Sequence, residues 1–287
     1  MNWYALDDPQ DPKLDELAKQ FELHPLHIED CRSHKERVKS EETSSYLFYI
    51  LKYILSVDHG ELTLGTICLF VGRDYFISVR DARSSSDSIL ERARKAPGEP
   101  SPGKLLYLVL DTIVDSFFPS IDKSDELLDA LEDRVLDQPS PETVESIFDQ
   151  KRKLIELRRV LVNTRDACNS MLRDPTDLIS DDLYPFFRDV YDHVLRLIDS
   201  VETLRDLLNN TLDVYLSSVA NRTNQVMKVL TVLSTIALPG LVITSFYGMN
   251  VKALPFADAQ YGALYVVGAI LVSTIVMLLV MRKARWL

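Results

Sequence analysis

Two stretches near the end of this 287-residue chain carry no charged side chain, 229–251 and 259–281, each 23 residues long. At about 1.5 Å of rise per residue, either one as a helix covers roughly 30 Å, the hydrocarbon thickness of a bilayer. The sequence therefore predicts two transmembrane helices, about 226–248 and about 260–281, joined by a short loop. Inside lipid every backbone polar group must be satisfied within the protein, and helices do this alone. The first span is the less apolar of the two. It contains Thr231, Ser234, Thr235, Pro239, Gly240, Thr244 and Ser245, so one of its faces turns away from lipid.

Basic residues set the expected orientation. Arg222 and Lys228 precede the first span, and Arg282, Lys283 and Arg285 follow the second. The loop holds only Lys252 and Asp258. Both termini are expected in the cytoplasm, as in a multi-pass protein of a bacterial-type inner (plasma) membrane. The opening "MNWYALDDPQDPKLDEL" is polar and acidic, unlike a signal peptide. Cys31, Cys68 and Cys168 are scattered and odd in number, which suits a reducing compartment and gives no metal-ligand spacing. Residues 1–227 hold 27 basic and 42 acidic side chains, net −15. That balance argues against nucleic acid or anionic lipid as partners of this domain; it fits plain solubility, and also a collector of cations.

The first hundred residues read as mixed α/β. "DPKLDELAKQF" is an amphipathic helix, and 46–55, "YLFYILKYIL", is strand-like. "LTLGTICLFVGRDYFISVRD" reads as two strands joined at 72–74. "SSSDSILERARK" opens a helix, and 96–103, "APGEPSPG", is a linker. One long helix is expected over about 104–137 with a kink at Pro119. A second follows, capped by Ser140 with Pro141 at its first position, to about Arg173. The divisions expected are a cytoplasmic α/β domain over 1–103, a helical stalk over 104–225 and a transmembrane domain over 226–287.

Residues 186–238 contain neither proline nor glycine. Phe187, Val190, Val194, Leu197, Val201, Leu204, Leu208, Leu212, Tyr215 and Val219 recur at steps of three and four, a coiled-coil period. Asp192, Asp199, Asp206 and Asp213 form one acidic stripe seven residues apart. A continuous helix over about 185–246 enters the membrane. Steps of three and four from Asp213 visit Ser217, Ala220, Asn224, Met227, Thr231, Ser234, Leu238, Leu241, Ser245 and Gly248. Such a stripe of small and polar residues either packs on another helix or lines water. Two spans cannot enclose a pore, whereas several copies related by cyclic symmetry can. Each stripe residue then becomes a ring, with Met227, Leu238 and Leu241 as apolar constrictions that gate by dewetting.

The span ends in "YGMN", followed by a short loop, a second span and "RKARWL"; before it come "PFFRDVYDHV" and "NQVMKVLTVLSTIALPG". Over the whole chain this pattern resembles the CorA family of divalent-cation channels. The resemblance implies a funnel-shaped homopentamer in the bilayer that passes Mg2+, and also Co2+ and Ni2+, with the first span lining the pore. It implies a selectivity filter at Tyr247, Gly248, Met249 and Asn250. It places Asp213, Asn224, Met227, Leu230 and Leu238 along the path below, with Thr231, Ser234, Leu241 and Ser245 on the same stripe. It also implies regulatory Mg2+ bound between subunits, with Asp87 and Asp189 at the matching positions. The loop departs from the family's acidic pattern: Phe256 stands where a glutamate is expected, and Asp258 is the nearest acid.

The chemistry agrees with the resemblance. Mg2+ gives up water reluctantly. A ring of neutral amide and carbonyl oxygens can hold its hydrated shell and still release it. Zinc transport by a related branch is the first alternative, but zinc prefers imidazole and thiolate. All five histidines, His24, His27, His34, His59 and His193, fall outside the spans, and His24 and His27 read as structural. The second alternative is a membrane-anchored coiled-coil scaffold or sensor without transport. No phosphate loop, nucleophile–base set or zinc motif supports an enzyme.

Overall fold

The computed structural model describes all residues except 34–35, 59–60, 81–87, 99, 138, 250–253, 256–259 and 284–287. The residues group into two compact units, 1–214 and 215–287. The boundary falls inside one helix, whereas the sequence places divisions at 103 and 225.

The first unit is built on a five-stranded sheet in the order β1-β5-β4-β3-β2. Its strands are β1 Asn2–Leu6, β2 Lys39–Glu42, β3 Tyr46–Asp58, β4 Glu61–Gly72 and β5 Tyr75–Arg80. β1 runs parallel to β5, and the other pairs are antiparallel. Alternate residues of a strand point to opposite faces. On one face Tyr46, Phe48, Ile50, Cys68, Phe70, Ile77 and Val79 share a core with Leu14, Leu17, Ile28 and Cys31. Those partners come from α1 (Pro12–Gln20) and α2 (Pro25–Arg32). Asp11 caps α1 by accepting from the Lys13 N–H at 2.9 Å, and the His24 Nδ1 caps α2 by accepting from the Leu26 N–H at 3.3 Å. His27 is buried, stacks on Phe48 at 4.2 Å and bonds Tyr46 and Glu41, a structural role like that of His24. All three cysteines are buried free thiols. Burial pushes Cys168 up to about 12, so its reactive thiolate is scarce.

Helices α4 (Pro102–Asp115) and α6 (Pro141–Arg173) cover the opposite face. α3 is Ser88–Arg94 and α5 is Phe118–Asp137. The single helix expected over 104–137 is therefore two helices, separated at Ser116 and Phe117. Pro119 does not kink a long helix; it sits at the second position of α5, where a missing N–H costs nothing. Ser140 caps α6 as expected, its Oγ 3.4 Å from the Thr143 N–H.

α7, Tyr184–Tyr247, is one helix of 64 residues. Its apolar stripe Phe187, Val190, Val194, Leu197, Val201, Leu204 and Leu208 is buried within the first unit. Polar contacts tie that face to the unit's other helices: Arg158 to Glu202, Lys151 to Asn209, and Thr211 to Glu132. The coiled-coil reading needs correcting here. The period marks intrachain packing as far as Leu208, so these seven residues cannot also form a seam between copies. The acidic stripe Asp192, Asp199, Asp206 and Asp213 is exposed.

Lys153 of α6 is 3% exposed, and its Nζ has no hydrogen-bond partner among the described residues. Burial, and then the charge of Lys123, lower its pKa. A base whose pKa falls on folding destabilises the fold, fully so below the lowered pKa, and the penalty fades as pH rises from that lowered value to the ordinary lysine value. Lys153→Met is expected to stabilise the chain by about 1–3 kcal/mol, the usual cost of a buried unsatisfied donor. Melting temperature in detergent checks this, with a smaller gain at high pH.

Candidate ion pathway and metal centre

The second unit holds the end of α7 and α8, Gly262–Lys283. Both helices are long and apolar enough to cross a membrane. α8 passes close to α7 at Gly240, where an added Cβ would meet Ile270 Cγ2 at 3.6 Å. That contact orients α7. At about 100° per residue, Asn224, Met227, Thr231, Ser234, Leu238 and Ser245 lie roughly 120–180° round the helix from Gly240. Leu241 lies at about 100°, and Leu230 and Gly248 at about 80°. The stripe thus faces away from α8. Met227 and Leu238 are each more than half exposed in the single chain.

The helix continues through Pro239, whose missing N–H leaves the Thr235 carbonyl without its usual intrahelical donor. The Thr231 Oγ1 donates to the Met227 carbonyl at 2.7 Å, which hides its polarity but keeps a lone pair outward. At the end of the span the Gly248 N–H still donates to the Thr244 carbonyl at 2.8 Å. Gly248 is not in the left-handed region, so it does not close the helix as a left-handed glycine cap. The Tyr247 hydroxyl donates to the Pro255 carbonyl at 3.0 Å, tying the helix end to the loop. Met249 is 53% exposed. Asn250 and Asp258 lie outside the described residues.

The first unit brings a second group together. One ligand atom from each of Asp111, Asp115 and His193 lies within 4.8 Å of the others. His193 Nε2 is 3.9 Å from Asp189 Oδ2, one turn back along α7, and its Nδ1 is 3.9 Å from Asp115 Oδ1. The ring stands edge-on to Phe118 at 5.9 Å. From α3, Arg92 pairs with Asp111 and lies 3.7 Å from Asp115. Burial, then the Asp115 charge, raise the Asp111 carboxyl above the usual range despite Arg92. Two carboxylates and an imidazole supply oxygen and nitrogen donors for a divalent cation, with Arg92 as competitor among the described residues and Asp189 at the other ring nitrogen of His193. Sequence reasoning missed the group of Asp111, Asp115 and His193; Asp189 touches it through His193. The available signal was Asp111 and Asp115, four apart in the apolar run "LLYLVLDTIVDSF". Asp87 lies outside the described residues. Asp213 is exposed on α7, roughly 36 Å along the helix from Asp189, and belongs to no such cluster.

A membrane hairpin with one face too polar for lipid, joined to an acidic unit with donors for a divalent cation, is the build of a membrane cation transporter. Comparison with known proteins makes the class specific. Residues 1–283 match the family described as CorA-like Mg2+ transporter protein, and the chain belongs to that family. It is a family of divalent-cation transporters, not of enzymes. The cobalt/magnesium transport protein CorA of Thermotoga maritima is 36% identical over 276 residues, which span 94% of this chain and 79% of the relative. The solved CorA magnesium transporter of Methanocaldococcus jannaschii has the same fold, with a TM-score of 0.87 at 24% identity, covering 99% of this chain and 91% of that one. The ZntB cytoplasmic domain of Vibrio parahaemolyticus also shares the fold over 77% of this chain and 88% of its own, with a TM-score of 0.64 at 15% identity.

Proposed function

We propose that the chain assembles as a cyclic homo-oligomer, a pentamer by likeness to its family, and conducts Mg2+ into the cell, with Co2+ and Ni2+ as alternative ions. The observation that carries this reading is the face of α7 turned away from α8. Small and polar residues there would be misplaced against lipid and are well placed around water. The filter is Tyr247, Gly248, Met249 and Asn250. The path runs past Ser245, Leu241, Leu238, Ser234, Thr231, Leu230, Met227 and Asn224 towards Asp213, and both termini are cytoplasmic. The span carries no carboxylate and no imidazole to trap the ion. This favours a hydrated, weakly held cation over zinc.

The Asp111, Asp115, Asp189 and His193 group is the regulatory site, completed by Asp87 of a neighbouring copy. Internal Mg2+ relieves the repulsion between net-negative domains and holds the closed state; its loss lets the assembly open.

The native cysteines are buried, so single cysteines can be placed on α7 against a silent background. Thr231→Cys, Ser234→Cys and Leu238→Cys are expected to react with a membrane-impermeant thiol reagent, and their Mg2+ uptake to be blocked. Val232→Cys, Ile236→Cys and Ile243→Cys are expected to stay unmodified. Equal protection of both sets would sink the pore and favour a non-transporting scaffold.

A further inference from the structure

α7 carries a second feature, on the side opposite the polar stripe. Arg222, Gln225, Val226, Val229, Leu230 and Leu233 line a groove of about 570 Å³. That volume is in the range of small-molecule sites, about 300–1,000 Å³. Five of the six lie within roughly 60° of the direction of Gly240, and Leu230 lies at about 80°. The groove is lined by α7 residues alone, on the flank that meets α8 at Gly240, with Leu230 at its edge towards the stripe.

Its position along the helix decides what fits. Val229, Leu230 and Leu233 are inside the charge-free run, Val226 is at its edge, and Gln225 and Arg222 lie beyond it. The returning helix adds charge at the same boundary. Counting from the Gly240–Ile270 contact at about 1.5 Å per residue, Arg282 is about 18 Å along α8 and Lys228 about 18 Å along α7. Arg282 and Lys283 therefore sit at the level of Lys228, which itself turns about 120° away towards the stripe, and Arg222 is about 9 Å further out. The floor is apolar at hydrocarbon depth and the mouth is cationic at headgroup depth. An occupant must be amphipathic and carry its negative charge at one end.

We propose that this groove is a binding site for one anionic phospholipid, with its phosphate at Arg222 and the basic end of α8, and one acyl chain along Val226, Val229 and Leu233. Basic clefts between membrane helices on the cytoplasmic side are suited to such headgroups. The net −15 of the water-facing domain does not oppose this, because the cations concerned are gathered at the membrane boundary. The inference rests on the reading of α7 and α8 as spans.

The test uses the full-length chain. Carbonate extraction from membranes comes first, and release into the wash overturns the spanning reading and this site together. With the chain retained, native mass spectrometry measures bound phosphatidylglycerol against phosphatidylcholine of the same acyl composition. The wild type is expected to prefer phosphatidylglycerol. Arg222→Gln is expected to reduce that preference about fivefold, the effect of one interfacial cation. Val229→Trp, which fills the apolar floor, is expected to reduce binding of both lipids. A photo-cross-linking residue at position 233 is expected to label lipid. Unchanged preference in both variants overturns this site alone. So does cross-linking of position 233 to residues 284–287 of the same chain, or to a second copy.

Discussion

Asn250→Ala is expected to reduce Mg2+ uptake by proteoliposomes about tenfold or more, equivalent to about 1.4 kcal/mol or more in the transport barrier. In the proposed ring of five, the substitution removes five amide oxygens at once. Each hydrogen bond to the ion's water shell is worth about 0.5–1.5 kcal/mol net, so even partial use of the ring reaches that threshold. The effect is expected to be far larger on transport than on folding, and the melting temperature in detergent checks the second part. Asn250→Asp tests the neutrality argument from the other side. A ring of carboxylates should bind the ion more tightly and pass it more slowly, so apparent affinity should rise while maximal flux falls. Wild-type flux in the alanine variant would remove Asn250 from the filter.

Disabling the proposed regulatory cluster is expected to have the second-largest effect. Asp189→Lys places a cation beside His193, whose other ring nitrogen faces Asp115. The internal Mg2+ concentration for half-maximal inhibition should rise about tenfold or more, a loss of about 1.4 kcal/mol or more in binding. Uptake at low internal Mg2+ should be unaffected. Acidity should act in the same direction. Burial raises the Asp111 pKa, so this carboxyl takes up a proton at a higher pH than an exposed aspartate does. Metal ligands must be deprotonated. Inhibition by internal Mg2+ should therefore weaken as pH falls, and Asp111→Asn should abolish much of that dependence at the cost of weaker inhibition throughout. Dose–response curves at two internal pH values measure both effects. Inhibition that is unchanged in Asp189→Lys together with Asp87→Lys would show that regulation lies elsewhere.

The spans and the strands were legible because each depends on a local pattern: charge exclusion over 229–251 and 259–281, and β-rich runs such as 46–55. Ser140 with Pro141 was legible for the same reason, since a cap is a contact between near neighbours. The misreadings involve contacts across the chain. A heptad-like stripe records that one face of a helix is buried, and it is silent on whether the covering surface is another copy or the same chain. Phe187 to Leu208 turned out to be covered by the chain's own helices. Pro119 reads equally as a kink or as a first-turn proline, and only the break at Ser116–Phe117 distinguishes them. The cation cluster was half legible. Asp189, expected from the resemblance, lies beside His193, whereas Asp111 and Asp115 come from a helix some 75 residues earlier, and only the packing of α4 against α7 joins them to His193.

The continuity of α7 also has a consequence for synthesis. Residues 187–208 supply the last strip of the first unit's core, and the first span begins only 21 residues after Leu208. At about 5–20 residues per second, a ribosome needs roughly 1–4 s to cover that distance. The nascent unit therefore lacks its closing helix, with its apolar seat exposed, until the moment the span is due for delivery to the bilayer. Completion of the water-soluble fold and insertion into the membrane overlap in time. A ribosome stalled before residue 184 would display an unfinished core.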